Sequence, residues 1–98
     1  MYRPLPKELT IKKSSIEGLG LFAVKDISKD LVFGVSHIKD NRFKDEYIRT
    51  PLGGFVNHSN NPNCEFYIDG DYIKLRTLED ISKGNELTAK YWLYHMGE

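Results

Sequence analysis

Three short strings hold the residue types that could do chemistry. Near the start, Gly18-Leu19-Gly20 lies within Ile16-Glu17-Gly18-Leu19-Gly20-Leu21-Phe22. Glycines at this spacing either make a turn that needs positive φ or let backbone approach a ligand where a Cβ would intrude. The string lacks the spacing of a dinucleotide or phosphate loop, so it points to neither ligand. In the middle, Phe55-Val56 is followed by Asn57-His58-Ser59-Asn60-Asn61-Pro62-Asn63-Cys64, a polar stretch in which Asn-Pro favours a turn. Near the end stands Glu86-Leu87-Thr88-Ala89-Lys90-Tyr91-Trp92-Leu93-Tyr94, a strand-like run whose aromatics either cover a core or wall a flat ligand.

Other chemistries fit these residues poorly. A nucleophilic triad could be drawn from Ser59, His58 and Asp69, but adjacent residues of an extended segment point apart. His58 has no metal-ligand neighbour at short spacing, and His37 and His95 lie far from it in sequence. Cys64 is the only cysteine, so an internal disulfide and a thiolate zinc site are both ruled out, and no metal is expected. The plain reading of Cys64 is a small buried hydrophobe.

The elements that must position these strings read as short strands divided by turns. Residues 9–12, 20–24 and 31–35 are alternating or short apolar runs. Residues 64–68 and 72–76 flank Asp69-Gly70, which predicts a hairpin closed by a type I′ turn. Residues 86–91 predict a last strand. Phe43 and Tyr47 at i, i+4 predict a helical turn over 42–48, with Pro51 stopping it. Asp26-Ile27-Ser28-Lys29 recurs as Asp80-Ile81-Ser82-Lys83. That echo is too short for a solenoid repeat and reads as two similar turns, each lodging one Ile in the core.

The 98 residues bound a single small domain with a thin core. Charge is balanced, 14 Lys and Arg against 14 Asp and Glu, without long like-charge blocks. Direct nucleic-acid binding is therefore not expected, nor is an anionic membrane surface as partner. Residues 1–6 lack a signal-like apolar stretch and nothing has the length of a membrane span. An intracellular, soluble protein is expected, in the cytoplasm, or in a nucleus or host cell if eukaryotic or viral.

In this order the strings resemble the SET domain of protein-lysine methyltransferases, in a compact form like viral and bacterial members. Gly18-Leu19-Gly20-Leu21-Phe22-Ala23, Asn57-His58-Ser59 with Pro62-Asn63-Cys64, and Glu86-Leu87-Thr88 with Tyr91 carry the likeness, over roughly residues 9 to 94. It implies a mainly β fold, the β-clip-like SET fold of small antiparallel sheets with a C-terminal pseudoknot. It also implies one domain over 1–98, with an extension at 1–8, a shortened insert at 36–56 and a tail at 92–98.

The activity the resemblance implies is transfer of a methyl group from S-adenosylmethionine to a lysine of a protein substrate. Gly18, Leu19, Gly20, Asn57 and His58 match the cofactor-binding positions, joined by Tyr91 and Trp92. Tyr91 matches the tyrosine whose hydroxyl sits at the reacting centre. Phe66, Tyr67 and Tyr47 are the substrate-side candidates. Glu86 matches an acidic residue that is more often structural, and is given no chemical role. The short 36–56 segment leaves one side of a substrate groove thin, so a homodimer is expected to complete it. Two further readings stay open: a silent SET-like binding module, and a methyltransferase of a small amine.

Overall fold

The computed structural model describes residues 5–39 and 47–90. The fold is mainly β, with eight strands and one short helix among the described residues. β1 (Leu9–Lys13) and β2 (Leu19–Ala23) form an antiparallel pair around the Gly18 turn, with Leu9 opposite Ala23 and Lys13 opposite Leu19. The second sheet has strand order β4-β3-β7-β6-β8-β5. Its members are β3 (Val32–Lys39), β4 (Tyr47–Arg49), β5 (Asn57–His58), β6 (Cys64–Asp69), β7 (Tyr72–Thr77) and β8 (Thr88–Ala89).

Alternation decides which faces meet. Along β7, Ile73, Leu75 and Thr77 are buried while Tyr72, Lys74 and Arg76 turn outward. Along β6, Cys64 and Phe66 are buried and Glu65 and Tyr67 lie on the other face. The inward set packs with Leu21, Ala23, Ile27, Leu52, Val56, Ile81, Leu87 and Ala89 into one core. Burying each large aliphatic chain there contributes roughly 1.5–3 kcal/mol. Cys64 is part of this core, and burial pushes its thiol up to about 12, with the Glu79 carboxylate a smaller cause.

The C-terminal strand is inserted, not appended. β8 runs parallel to both neighbours, Asn57 opposite Thr88 and His58 opposite Ala89 on one side, Cys64 opposite Ala89 on the other. Because β5 and β6 flank β8, the 59–63 loop must cross it, which gives the knot-like arrangement of the SET fold. Thr88 and Ala89 are buried there, and small side chains suit a strand with backbone on both sides.

Four sequence expectations change. The hairpin turn is displaced by one residue: Asp69 pairs with Tyr72, and the central residues are Gly70 and Asp71. Only Gly70 has positive φ, +64°, so this is not a type I′ turn, which needs it at both central positions. Pro51 begins a helix instead of stopping one. α1 (Pro51–Phe55) starts at Thr50, and proline suits a first turn because its missing N–H has no intrahelical acceptor to find. The expected helical turn over 42–48 lies largely outside the described residues, but its end does not. Tyr47–Arg49 is a strand, held by pairing of Ile48 with Ile38. Among the described residues the last strand is Thr88–Ala89, with Glu86 bridging Phe22 separately, and Tyr91 lies outside them. No helix among the described residues is long and apolar enough to cross a membrane.

Candidate cofactor and substrate site

The three strings meet at Glu86. Its two carboxylate oxygens each lie 2.8 Å from Ser14 Oγ, and Oε2 lies 2.8 Å from Asn57 Nδ2. The Asn57 amide also donates toward the carbonyls of Glu17 at 3.1 Å and Leu19 at 3.2 Å. Asn57 is only 8% exposed, so these partners replace water. Gly20 completes the junction. A Cβ there would overlap Glu86 Oε2 and approach Asn57 Nδ2 to 3.1 Å, so only glycine leaves room for the carboxylate. Gly18, by contrast, serves conformation: its φ is +42°, with open space where a side chain would point. The two glycines thus do different work.

Ser14 joins the turn to this network. Its hydroxyl accepts from the amides of Ile16 and Glu17 and gives its one hydrogen to Glu86. Asn63 holds the other flank. Its Nδ2 donates to the Glu86 carbonyl at 2.9 Å, and its Oδ1 accepts from the Thr88 amide at 2.9 Å. A side-chain amide here stands in for a strand partner, which lets the 86–88 segment leave one ladder and enter another. His58 is half-buried; its register partner is Ala89, and its Nε2 lies 3.2 Å from Asn60 Oδ1.

The substrate-side candidates divide. Tyr47 and Phe66 both meet His37, a residue that its isolation in sequence left without a role. The ring centroids of Phe66 and His37 are 5.3 Å apart and edge-on; those of Tyr47 and His37 are 6.3 Å apart and edge-on. Tyr67 is on the opposite face of the sheet, under the Arg76 guanidinium at 4.6 Å. His37 is 2% exposed, and Gly53 of α1 packs so near that a Cβ would come to 2.9 Å from its Cε1. Desolvation, with the Arg49 charge second, holds its imidazole down at about 4. Ser36 gives its single hydroxyl hydrogen to the Ile73 carbonyl at 3.0 Å. Ser36 Oγ also lies 2.9 Å from His37 Nδ1.

Tyr91 and Trp92, expected at the reacting centre and over the cofactor, lie outside the described residues. Ser59, His58 and Asp69 form no triad: Ser59 Oγ accepts from the Asn61 amide, and Asp69 lies 2.6 Å from Lys74 Nζ. The residue at the junction to which sequence reasoning gave no chemical role is Glu86. The available signal was its place in the Glu-Leu-Thr string, but nothing local says what its carboxylate reaches.

Comparison with known proteins gives one consistent picture. The family model for the SET domain matches residues 34–92. A stretch of 41 residues is 42% identical to human histone-lysine N-methyltransferase SMYD3, and one of 43 residues is 44% identical to histone-lysine N-methyltransferase set9 of Schizosaccharomyces pombe. These stretches are 42% and 44% of this chain but 10% of each relative. Among solved structures, the methyltransferase domain of human PR domain-containing protein 2 superposes with a TM-score of 0.71 at 21% identity, over 87% of this chain and 77% of that one. Plasmodium falciparum PFL0690c superposes equally well, with TM-score 0.71 and 21% identity, over 88% of this chain and 94% of that one. At such identity these two likenesses speak for the fold.

Proposed function

Because this chain belongs to the SET-domain family, we propose that it is an S-adenosylmethionine-dependent methyltransferase acting on lysine side chains of a protein. The observation that carries the reading is the meeting of Ser14, Gly20, Asn57 and Glu86 at one point, drawn from three separate segments. The junction is rich in acceptors. Two carbonyls and a carboxylate face one amide nitrogen that has two hydrogens to give. With Nδ2 held by these acceptors, the Asn57 Oδ1 is left to accept from a ligand donor such as the ammonium of an amino-acid-bearing cofactor. The names of the two relatives identified by sequence, both histone-lysine N-methyltransferases, support a protein lysine as acceptor.

In this reading Gly18, Leu19, Gly20, Asn57 and His58 hold the cofactor, joined by Tyr91 and Trp92 from beyond β8. The bound sulfonium supplies an electrophilic methyl. The protein supplies alignment of the lysine amine with that methyl, which removes much of the bimolecular barrier. An aromatic wall from Tyr47 and Phe66 disfavours the ammonium form and so delivers a neutral amine. The Tyr91 hydroxyl orients that amine and stabilises charge at the reacting centre. A homodimer completes the groove left thin by the 36–56 segment. The exposed row of Ile48, Ile38 and Tyr72, neighbours across β4, β3 and β7, is a surface that could bury against a second copy.

Calorimetry with S-adenosylmethionine tests the cofactor assignment. Wild type binds, and Asn57→Ala weakens binding by on the order of 1–3 kcal/mol because the cofactor loses the hydrogen bond the carboxamide would make. A single-turnover assay then tests Tyr91. Tyr91→Phe lowers the rate by about ten- to a thousandfold at saturating cofactor. Cofactor binding with no methyl transfer to any peptide lysine would favour the binding-module reading instead.

A further inference from the structure

We infer that Glu86 is a positioning residue that dictates which way the Asn57 carboxamide faces. For the ligand, the inference rests on the methyltransferase reading above; for the orientation, it rests on hydrogen-bond geometry alone.

Asn57 Nδ2 has three neighbours, Glu86 Oε2 at 2.8 Å and the carbonyls of Glu17 and Leu19 at 3.1 and 3.2 Å. Oxygen and nitrogen of a carboxamide are set by their partners, and here every partner is an acceptor. Rotation by half a turn would press the amide oxygen against three oxygens. The nitrogen is thus committed to the Gly18 turn, and Oδ1, the other end of the same planar group, is directed away from it as an acceptor for something else. Two of the three acceptors are main chain and cannot be altered by substitution. Glu86 is the nearest and the charged one, and a charge-assisted bond is roughly twice as strong as a neutral one.

The carboxylate is itself immobilised. Ser14 Oγ lies 2.8 Å from both of its oxygens, the Glu86 carbonyl accepts from Asn63 Nδ2 at 2.9 Å, and the carboxylate fills the space a Gly20 side chain would need. Leu87 extends the hold, its amide donating to the Leu21 carbonyl at 2.8 Å. Glu86 therefore cannot swing to meet a ligand without dismantling the turn. Its effect on a ligand passes through Asn57.

Two substitutions separate this from a direct charge effect. Glu86→Met keeps the length but removes the acceptor; Glu86→Gln removes the charge but keeps one oxygen, which at the Oε2 position can accept from both Asn57 and Ser14. Calorimetry with S-adenosylmethionine should show Glu86→Met losing about tenfold in affinity, with Glu86→Gln keeping most of it. In the Asn57→Ala background Glu86→Met should lose little more, since residues acting through one another are not additive. Equal losses for Met and Gln, or additive losses with Asn57→Ala, would overturn the inference in favour of a direct charge effect. A ligand-free arm follows the Asn57 side-chain amide protons by NMR. They should be protected from exchange in wild type and Glu86→Gln and released in Glu86→Met. Unchanged protection in Glu86→Met would refute the positioning role even if the wild-type protein bound no cofactor, an outcome that would count against the methyltransferase reading alone.

Discussion

Ile27 and Ile81 exchange both of their backbone hydrogen bonds, each amide nitrogen lying 2.8 Å from the other's carbonyl oxygen. Around this bridge the two copies of Asp-Ile-Ser-Lys clasp each other crosswise. Asp80 Oδ1 accepts from the Lys29 amide at 2.8 Å, and Asp26 Oδ1 accepts from the Lys83 amide at 2.9 Å. Both Ile side chains are buried, as the echo in the sequence suggests, but the copies also satisfy one another.

The clasp gives the first prediction. Asp26→Ala and Asp80→Ala should each lower stability by about 1 kcal/mol, the usual worth of a carboxylate that satisfies an unpaired backbone amide at a turn. Urea unfolding of the two variants should give similar losses, because the two contacts are near copies. A loss confined to one of them would show that the two halves are not equivalent.

Asp30 and Gly84 follow the two copies and both have positive φ, +65° and +92°. Left-handed backbone is costly for L residues, though aspartate tolerates it better than most. Asp30→Gly should therefore raise stability by up to about 1 kcal/mol, while Asp30→Val lowers it by about 1–2 kcal/mol. Thermal unfolding of the pair measures both signs.

Gly20→Ala should behave unlike Gly18→Ala. At Gly20 the added methyl displaces the Glu86 carboxylate, which costs about 1–3 kcal/mol and weakens S-adenosylmethionine binding along with it. At Gly18 the methyl enters open space and meets only the backbone penalty, about 1 kcal/mol. Matched unfolding and calorimetry data on the two variants should differ most in affinity.

Acid should destabilise the fold through His37. In the unfolded chain its imidazole takes up a proton near the ordinary 6.5, but in the folded protein burial delays this to about 4. Between those values the unfolded state binds the extra proton, so stability falls as pH drops through the window and is unaffected by this group above it. The full effect is on the order of 3 kcal/mol, one proton over the interval. Urea midpoints of wild type and His37→Gln at pH 7, 5.5 and 4.5 should converge as pH falls. A constant gap between them would contradict the assignment.

Much of the architecture was legible because it is encoded locally. Alternation marked β1, β2, β6 and β7 to within a residue or so, and glycine at position 18 marked a turn that needs positive φ. Pro51 was misread because proline before and within a helix look alike until the helix start is known. The strand at Tyr47–Arg49 was missed because three residues hold no period, and only pairing with β3 makes them a strand.

The sequence by itself determined the residue types of the candidate site, their order along the chain and the fold family to which they correspond. Tertiary structure decided what each side chain touches. Insertion of β8 between β5 and β6 carries Glu86 to Asn57 and Ser14, and brings Gly20 close enough that a methyl group would not fit. Pairing of β3 with β4 and β7, and of β7 with β6, likewise gathers Tyr47, His37 and Phe66 while leaving Tyr67 on the far face. The physical reason is range. Turn preferences and alternation act over a few residues and are written in neighbours, whereas hydrogen bonds and close packing join residues whose separation in sequence carries no local signal.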